Sequence, residues 1–323
     1  MTHPDLAVPT AHLSVVTGAF SYSGAAIARE LLRRGRRVRT LTGHPQRAPA
    51  GTPIEVRPLD FGASSELAAA LAGAGTLYNT YWIRFAHGAV DHAQAVANSR
   101  VLFGAAAKAG VQRIVHISIT NPSLTSPDSY FRGKAEVEQA LAECGVPYAV
   151  ARPAVLFGRD GVLINNIAWL LRRLPVFAIG GRGDYRLRPI HVDDLAALCA
   201  DLGARTEQAM TVDAVGPQSL TFRQIVAAIR DAVGSRSVLV PVPGRVIPAL
   251  AAGLNLVLRD TLLTSAEYAS MAANLADSAA PATGTVAFTD WVRAHGGELG
   301  RRYANELDRH YRLGSGMSPT DPR

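Results

Sequence analysis

Short apolar runs alternate with segments of helical period from residue 13 to about residue 152, and this alternation constrains the fold more than any other feature. The pattern is typical of βαβ units and predicts a parallel sheet in an α/β protein. Helices are predicted over 24–34 and 130–143, because each segment ends at a glycine, Gly35 or Gly145. Six strands are predicted, over 12–16, 37–41, 54–58, 76–79, 113–117 and 148–152. We therefore expect a doubly wound parallel sheet.

A glycine-containing turn joins the first predicted strand to the first predicted helix. In this context, backbone N–H groups bind the pyrophosphate of a dinucleotide. Gly18 fits the tight turn and Gly24 the close packing of helix on strand, while Ser21 stands where a middle glycine is usual. A purely structural turn is the alternative. The predicted contacts to the phosphates are Thr17, Gly18, Phe20, Ser21, Tyr22, Ser23 and Gly24.

The end of the second predicted strand indicates which dinucleotide is bound. NAD-specific sites place an Asp or Glu about 20 residues after the glycine turn, where it binds the ribose hydroxyls. Here that place is taken by Thr42, and residues 41–47 contain no carboxylate. His44 and Arg47 are available to pair with a 2′-phosphate. We therefore expect NADP, with NAD as the alternative cofactor and a solvated loop charge as the alternative reading of Arg47.

Further cofactor contacts are predicted at the carboxyl ends of the strands, where doubly wound sheets bind their ligands. Asp60 and Phe61 are placed to contact the adenine, although an Asp that closes a strand is also an ordinary turn residue. The other predicted contacts are Asn79, Thr80 and Pro153, with Lys134 on the nicotinamide ribose.

A phenol and an ammonium lie four residues apart on the predicted helix 130–143. Tyr130 and Lys134 therefore share one helix face. A nearby ammonium lowers the pKa of a tyrosine from about 10 and makes the phenol a usable acid or base. Only two of the 33 basic residues are lysines, Lys108 and Lys134, so a lysine at this position indicates a function. Ser118, at the end of the fifth strand, is predicted to polarise a substrate carbonyl; the alternative is a turn residue.

The substrate side is predicted from a loop rich in aromatic residues and from the C-terminal half. The loop over 78–87 follows the fourth strand, and its aromatic and cationic side chains are suited to a planar, acidic or partly apolar substrate. Packing beneath a second domain is the alternative. The predicted substrate contacts are Tyr81, Trp82, Arg84, Thr120, Asn166 and Arg188.

Two domains and two tails are expected. Residues 12–153 are predicted to form a dinucleotide-binding domain. Beyond Pro153 the pattern becomes irregular, and 154–313 are predicted to form a smaller substrate-side domain with returning strands and C-terminal helices. Residues 1–11 and 314–323 are predicted to be flexible tails. The apolar segment 246–271 is read first as core, and otherwise as the roof of a lipophilic pocket or a subunit interface.

Over residues 13–240 the chain resembles the extended and atypical short-chain dehydrogenase/reductases, a large family that includes epimerases and dehydratases. The resemblance is carried by Thr17-Gly18 to Gly24, Tyr130-x-x-x-Lys134, Arg152-Pro153 and Pro189-Ile190-His191-Val192-Asp193-Asp194. It is greatest to the NmrA-like and complex I accessory-subunit-like branch. The resemblance implies a Rossmann domain, a nicotinamide cofactor and a catalytic set of Ser118, Tyr130 and Lys134.

Three functions are compatible with this resemblance. We expect an oxidoreductase that transfers hydride between NADP(H) and a carbonyl or alcohol substrate. An NAD-dependent sugar-nucleotide epimerase would use the same residues, but the missing carboxylate at Thr42 counts against it. A sensor or assembly protein that binds NAD(P) without turnover is the third reading. A homodimer is the oligomer considered.

Composition argues against several other classes of protein. The net charge of +7 is spread along the chain without a Lys/Arg block, so nucleic acid is not an expected partner. No apolar run approaches the roughly 20 residues of a spanning helix, and residues 1–10 lack a signal pattern, so a cytoplasmic location is expected. Cys144 and Cys199 are expected to be buried thiols, and no metal site is expected. His191, Asp193 and Asp194 fit a helix N-terminus better than a metal site.

Overall fold

The computed structural model describes residues 12–85 and 91–305, so the two predicted tails and residues 306–313 lie outside the described residues. The chain divides into two compact units, each built from three segments. The first unit comprises Met1–Ile117, Gly133–Ala151 and Cys199–Thr211, and the second comprises Ser118–Arg132, Arg152–Leu198 and Val212–Arg323. The second unit therefore contains more residues than the first.

The central sheet has seven strands in the order β11-β6-β5-β4-β1-β2-β3, and the pairs from β3 to β6 are parallel. This order reverses direction at β1, as expected for a doubly wound sheet. The strands are β1 (Leu13–Thr17), β2 (Arg37–Thr42), β3 (Glu55–Pro58), β4 (Ala74–Asn79), β5 (Arg113–Ile117), β6 (Tyr148–Pro153), β7 (Val155–Phe157), β8 (Val176–Gly180), β9 (Arg186–Leu187), β10 (Pro189–His191), β11 (Ala209–Ala214), β12 (Leu220–Thr221) and β13 (Val238–Val242).

All six predicted strands are present, with bounds that differ by at most two residues. The two predicted helices are α1 and α4, and the glycines that follow them, Gly35 and Gly145, have positive φ angles that favour glycine. The helices are α1 (Tyr22–Arg33), α2 (Ser64–Leu71), α3 (His92–Lys108), α4 (Ser129–Glu143), α5 (Val162–Arg173), α6 (Val192–Gly203), α7 (Phe222–Ala232), α8 (Ile247–Leu258), α9 (Ser265–Ala272) and α10 (Phe288–His295).

The core of the first unit lies where helices cover the sheet. Every residue of β5 is buried, as expected for a parallel strand covered on both faces. Leu77 of β4 and Ile114 of β5 pack with Leu71 of α2 and Phe103 of α3. The edge strand β11 is fixed by a side chain as well: Arg113 is buried and donates to the carbonyl oxygens of Leu202 and Glu207, each at 2.7 Å. The last segment of this unit is therefore tied to the sheet at its edge.

The second unit has its own core and three two-stranded sheets, β10-β7, β12-β9 and β13-β8. Phe157 is fully buried and packs edge-on against Phe288 and Trp291 of α10. At the start of α6, Asp194 accepts hydrogen bonds from the backbone N–H groups of Thr285 and Val286, each at 2.9 Å. This carboxylate therefore holds the segment that leads into α10.

The apolar segment 246–271 forms α8 and α9, but the core interpretation is wrong for one face of α8. Leu256 and Val257 are 81% and 79% exposed, whereas Ile247 and Ala251 are buried. The reason is that α8 packs along one side only. None of the helices in the described ranges is long and apolar enough to span a membrane.

Candidate active site

The turn between β1 and α1 has the geometry of an anion-binding loop. Gly18 has a φ of +64°, and its N–H donates to Leu41 O at 2.8 Å. Ser21 precedes α1 but does not cap it, because its hydroxyl donates to Gly18 O at 2.6 Å. The first N–H groups of a helix have no partner within the helix. The first turn of α1 is therefore suited to bind a phosphate.

Gly24 is the most tightly constrained residue of this turn. A Cβ at this position would lie 2.1 Å from Gly18 O, and only glycine allows α1 to approach the turn so closely. A Cβ at Gly18 would meet Ser21 Oγ at 3.2 Å. Ser21, which replaces the usual middle glycine, closes the turn through the hydrogen bond of its hydroxyl to Gly18 O. The backbone of this turn fits the pyrophosphate of a dinucleotide.

The residues predicted around the adenosine lie at the ends of β2 and β3. Thr42 is buried, and its hydroxyl accepts a hydrogen bond from His44 N at 3.0 Å. Arg47 is half-buried in a short 3-10 turn over Pro45–Arg47. Asp60 accepts from Gly62 N at 2.8 Å, which is a turn contact, and Phe61 packs on Tyr81 with ring centroids 4.6 Å apart. His44 and Arg47 thus follow directly on the strand end that sequence reasoning assigned to the 2′-phosphate.

A buried hydrogen-bonded chain runs beneath the turn through Thr80, Thr17, Asn79 and His116. Thr80 N donates to Thr17 Oγ1 at 2.7 Å, and Thr17 Oγ1 donates to Asn79 Oδ1 at 3.2 Å. The Asn79 amide then donates to His116 Nδ1 at 3.1 Å, which leaves the proton of the neutral imidazole on Nε2. Asn79 and Thr80, predicted as cofactor contacts, therefore hold the turn in place from β4.

Sequence reasoning missed His116, which is fully buried in β5. Burial, and secondarily the charge of Lys134, hold the pKa of its imidazole well below the ordinary value. Its Nε2 atom has no hydrogen-bond partner within 12–85 and 91–305. The only signal for this residue was a polar side chain flanked by apolar residues in the strand Arg113-Ile114-Val115-His116-Ile117.

Lys134 is the most perturbed cation of the site. Its side chain is only 3% exposed, and its Nζ atom donates to Ile117 O, the carbonyl that immediately precedes Ser118, at 2.9 Å. Burial lowers the pKa of this ammonium from its ordinary value of 10.5 to about 7, partly opposed by the charge of Glu138. Perturbed pKa values of this kind concentrate at functional sites.

The indole of Trp82 lies against this lysine. Lys134 Nζ is 4.7 Å from the ring centroid, within the range of a cation–π contact. The ring also stacks on His92, with centroids 5.7 Å apart and planes 4° from parallel. Trp82, which was predicted to contact substrate, therefore contacts a predicted catalytic residue.

Tyr130 and Ser118 belong to the second unit. Tyr130 lies in the first turn of α4, four residues before Lys134, and its N–H donates to Asp128 Oδ1 at 2.9 Å. Ser118 is 4% exposed, and its Oγ atom has no hydrogen-bond partner in the part of the chain that the structure describes. A buried hydroxyl without a partner is costly, so Ser118 Oγ is suited to bind a polar atom of a ligand.

Three residues predicted to bind substrate are engaged with the backbone instead. Thr120 Oγ1 donates to Leu275 O at 2.8 Å. Asn166 exchanges two hydrogen bonds with the backbone of Ala304. Arg188 donates to the carbonyl oxygens of Gly216, Ser278 and Ala280. These side chains stabilise the second unit, and we leave them out of the substrate set because their polar atoms already have partners.

Four side chains of the aromatic loop, those of Tyr81, Ile83, Arg84 and Phe85, are half-buried. The Tyr81 hydroxyl accepts from Asn98 Nδ2 at 2.7 Å, and burial raises the pKa of its phenol. Arg84 lies with its Cζ atom 5.8 Å from the ring centroid of Phe85. Pro153, the last predicted cofactor contact, ends β6, and its carbonyl accepts from Thr120 N at 3.1 Å.

No group of three or more His, Cys, Asp or Glu side chains in the described ranges could hold a metal ion. Cys199 is buried and Cys144 is half-buried, and burial raises the pKa of both thiols.

Comparison with known families identifies the segment that contains the turn. Residues 18–166 match the family of NAD(P)H-binding domains. The match covers the glycine turn, Lys134 and Tyr130, so a nicotinamide cofactor is supported. The match, together with a mitochondrial NADH dehydrogenase [ubiquinone] subunit among the curated relatives, supports the branch that the sequence resemblance indicated.

Curated relatives are similar over part of their length. An uncharacterized protein of Mycobacterium tuberculosis is 29% identical over 216 residues, which are 66% of this chain and 23% of that protein. The matched region is thus about a quarter of the relative's length. A mitochondrial NADH dehydrogenase [ubiquinone] 1 alpha subcomplex subunit 9 of Arabidopsis thaliana is 23% identical over 145 residues, which are 44% of this chain and 36% of that subunit.

Solved structures share the fold along most of the chain. An NADPH-dependent quinone oxidoreductase of Escherichia coli, complexed with NADPH, has a TM-score of 0.70 at 22% identity, covering 87% of this chain and 99% of that one. A Citrobacter triphenylmethane reductase complexed with NADP(H) has a TM-score of 0.65 at 19% identity, covering 88% and 96%. A nucleoside-diphosphate-sugar epimerase of Staphylococcus aureus has a TM-score of 0.67 at 16% identity, covering 87% and 99%. At these identities the likeness concerns the fold alone.

Proposed function

We propose that this protein is an oxidoreductase of the short-chain dehydrogenase/reductase type that uses NADP(H) on a carbonyl or alcohol substrate. The observation that carries the proposal is Lys134, a buried lysine with a pKa of about 7, four residues after Tyr130 on one helix. Burying an ammonium is costly, and shifts of this size concentrate at functional sites. An amine that changes protonation near neutral pH is what a proton-transferring tyrosine needs beside it.

The three residues of the catalytic set have different roles. The dinucleotide, when bound, supplies or accepts the hydride. Tyr130 gives its phenolic proton to the oxygen that becomes an alcohol, or takes it back in the reverse direction. Lys134 in its protonated form lowers the pKa of that phenol and binds the ribose, and Ser118 holds the substrate oxygen by a hydrogen bond.

The cofactor preference is also a proposal. Residues 41–47 offer His44 and Arg47 and no carboxylate, so a 2′-phosphate would gain a charge-assisted partner at the end of β2. The E. coli and Citrobacter reductases, whose structures contain NADPH or NADP(H), support the same choice. The Arg47→Ala variant should bind NADPH about tenfold or more weakly, with NADH affinity unchanged, because only the 2′-phosphate contact is lost. A fluorescence titration measures both, and Arg100→Ala, at an exposed arginine of α3, is the control.

The substrate class is a proposal as well, which the reductase neighbours support. We propose a planar, partly apolar carbonyl compound such as a quinone, whose carbonyl oxygen would accept a hydrogen bond from Ser118 Oγ. Oxidation of NADPH at 340 nm against a panel of quinones, aldehydes and ketones tests this. Tyr130→Phe should bind NADPH like the wild type and lose turnover by a factor of about 100 or more. Full turnover in Tyr130→Phe would refute the assignment of the proton donor.

Two other functions have specific support. The similarity to complex I subunits favours a protein that binds NADP(H) without turning it over. For this function, the titration would show binding while the whole panel stays unreduced. The epimerase neighbour favours a sugar-nucleotide epimerase, which would retain NAD through gel filtration and isomerise its substrate without net oxidation. Mass spectrometry of the released nucleotide separates the epimerase from the reductase.

A further inference from the structure

The contacts of Trp82 suggest a role that substrate binding does not explain. Its indole lies 4.7 Å from Lys134 Nζ and stacks on His92 of α3. It also packs against the core of the first unit. The ring is thus held in one orientation by protein groups, and the amine of Lys134 lies over it.

Gly133 makes this approach possible. A Cβ at this position would lie 2.8 Å from Trp82 Cη2 and 3.3 Å from Cζ2. Glycine inside a helix is unfavourable relative to alanine, and this one lies in the interior of α4. The residue directly before Lys134 is therefore the one whose missing side chain gives the indole its space.

Burial disfavours the charged form of Lys134, and the charge of Glu138 opposes this only in part. The amine is buried, and the groups that face it are Ile117 O and His116 from β5, Glu138 from α4 and Trp82 from the loop after β4. His116 is neutral, and Glu138 is half-buried one helical turn beyond. The face of an indole attracts an ammonium but not a neutral amine. Trp82 therefore favours the protonated form and fixes its place.

We propose that Trp82 is a positioning residue for Lys134, which it holds by a cation–π contact in the space left by Gly133. The proposal rests on the proposed function in one respect, the catalytic role of Lys134. Its own test does not need turnover, so the two can fail separately.

The chain has only two lysines, which makes a direct measurement available. In a Lys108→Arg background, protein labelled with 13Cε-lysine gives a single lysine signal, from Lys134. Its chemical shift against pH yields the midpoint of titration, expected near pH 7, and the ring current of Trp82 should shift the ε protons upfield. Removing the ring in Trp82→Leu should decrease the proton affinity about three- to tenfold and abolish the upfield shift.

Two more variants keep the test decisive. Trp82→Phe retains a weaker aromatic face, so its midpoint should lie between those of the wild type and Trp82→Leu. Gly133→Ala retains every charged and aromatic group but displaces the indole, so its midpoint should fall as well. Thermal melting and NADPH binding report whether each variant is folded, and the conclusion is drawn from the folded ones.

The proposal is overturned if the folded variants titrate at the wild-type midpoint or above it, or if the wild type shows no ring-current shift. The ordered series of midpoints, from Trp through Phe to Leu, supports it. When turnover is available, the pH profile of kcat should move with the measured midpoint. If the midpoints follow this order but no substrate is turned over, the contact between Trp82 and Lys134 is supported and the catalytic role of Lys134 is refuted.

Discussion

The burial of Lys134 should make the stability of the protein depend on pH in a way that one substitution removes. The pKa of its ammonium is 10.5 when exposed and about 7 in the folded chain. Between these values the unfolded chain holds a proton that the folded chain has released, so the free energy of unfolding rises with pH. Below pH 7 both states are protonated, and the cost of burying the charge is fully present.

The magnitude follows from the two pKa values. Each pH unit in the interval where only the unfolded state is protonated is worth about 1.4 kcal/mol. Between pH 6 and pH 9, the lysine should therefore contribute an increase of about 2 to 3 kcal/mol. In Lys134→Met this contribution is absent, so the stability difference between wild type and variant should change by that amount across the range.

Urea unfolding at pH 6, 7, 8 and 9 measures this difference, and comparison with wild type cancels the titration of the other groups. Lys108→Met removes one positive charge from an exposed position of α3 and is the matched control. If the difference between wild type and Lys134→Met stays constant from pH 6 to pH 9, then Lys134 is not buried as an amine and the proposed pairing with Tyr130 loses its physical basis.

Two further substitutions test the fold around the site. Gly24→Ala places a Cβ 2.1 Å from Gly18 O and should cost about 1 to 3 kcal/mol of stability and most of the NADPH affinity, whereas Gly104→Ala, in open space on α3, should stabilise by about 0.5 to 1 kcal/mol. Urea unfolding and NADPH titration would contradict this if the two variants behaved alike. Arg113→Leu leaves buried carbonyl oxygens at the sheet edge unpaired and should cost about 3 kcal/mol or more, while Arg100→Leu, at an exposed ion pair, should cost less than about 0.5 kcal/mol. Equal unfolding midpoints would refute the structural role of Arg113.

Local patterns in the sequence predict the strands of the first unit and the turn before α1, because each depends on neighbouring residues. Apolar runs and glycine stops placed six strands within two residues. The seventh strand, β11, pairs with β6 from about 60 residues farther along the chain, and no local pattern reports a partner at that distance. The sequence therefore predicts the class of sheet and strand β3, which lies at one edge, but not the edge strand β11.

The site shows the same limit. The scarcity of lysine indicates Lys134 from the sequence alone. The burial of His116 and the contact of Trp82 with Lys134 depend on three-dimensional packing, so the sequence does not predict them. Arg188 shows the converse. A guanidinium near a predicted pocket can bind a ligand or backbone carbonyls equally well, and only the folded chain shows that it binds the carbonyls of Gly216, Ser278 and Ala280.

The late position of β11 in the chain has a consequence for biosynthesis. When β6 leaves the ribosome, its outer backbone groups are unpaired and Arg113 lacks the carbonyl oxygens of Leu202 and Glu207, because residues 202–214 are not yet made. At roughly 5 to 20 residues per second, that state lasts about 3 to 12 seconds on each nascent chain. During this time the cofactor-binding sheet has an open edge, which is the kind of surface that pairs with other chains. A ribosome stalled after β6 and before β11 would thus present a six-stranded intermediate, and chaperones that bind strand edges would bind at this stage.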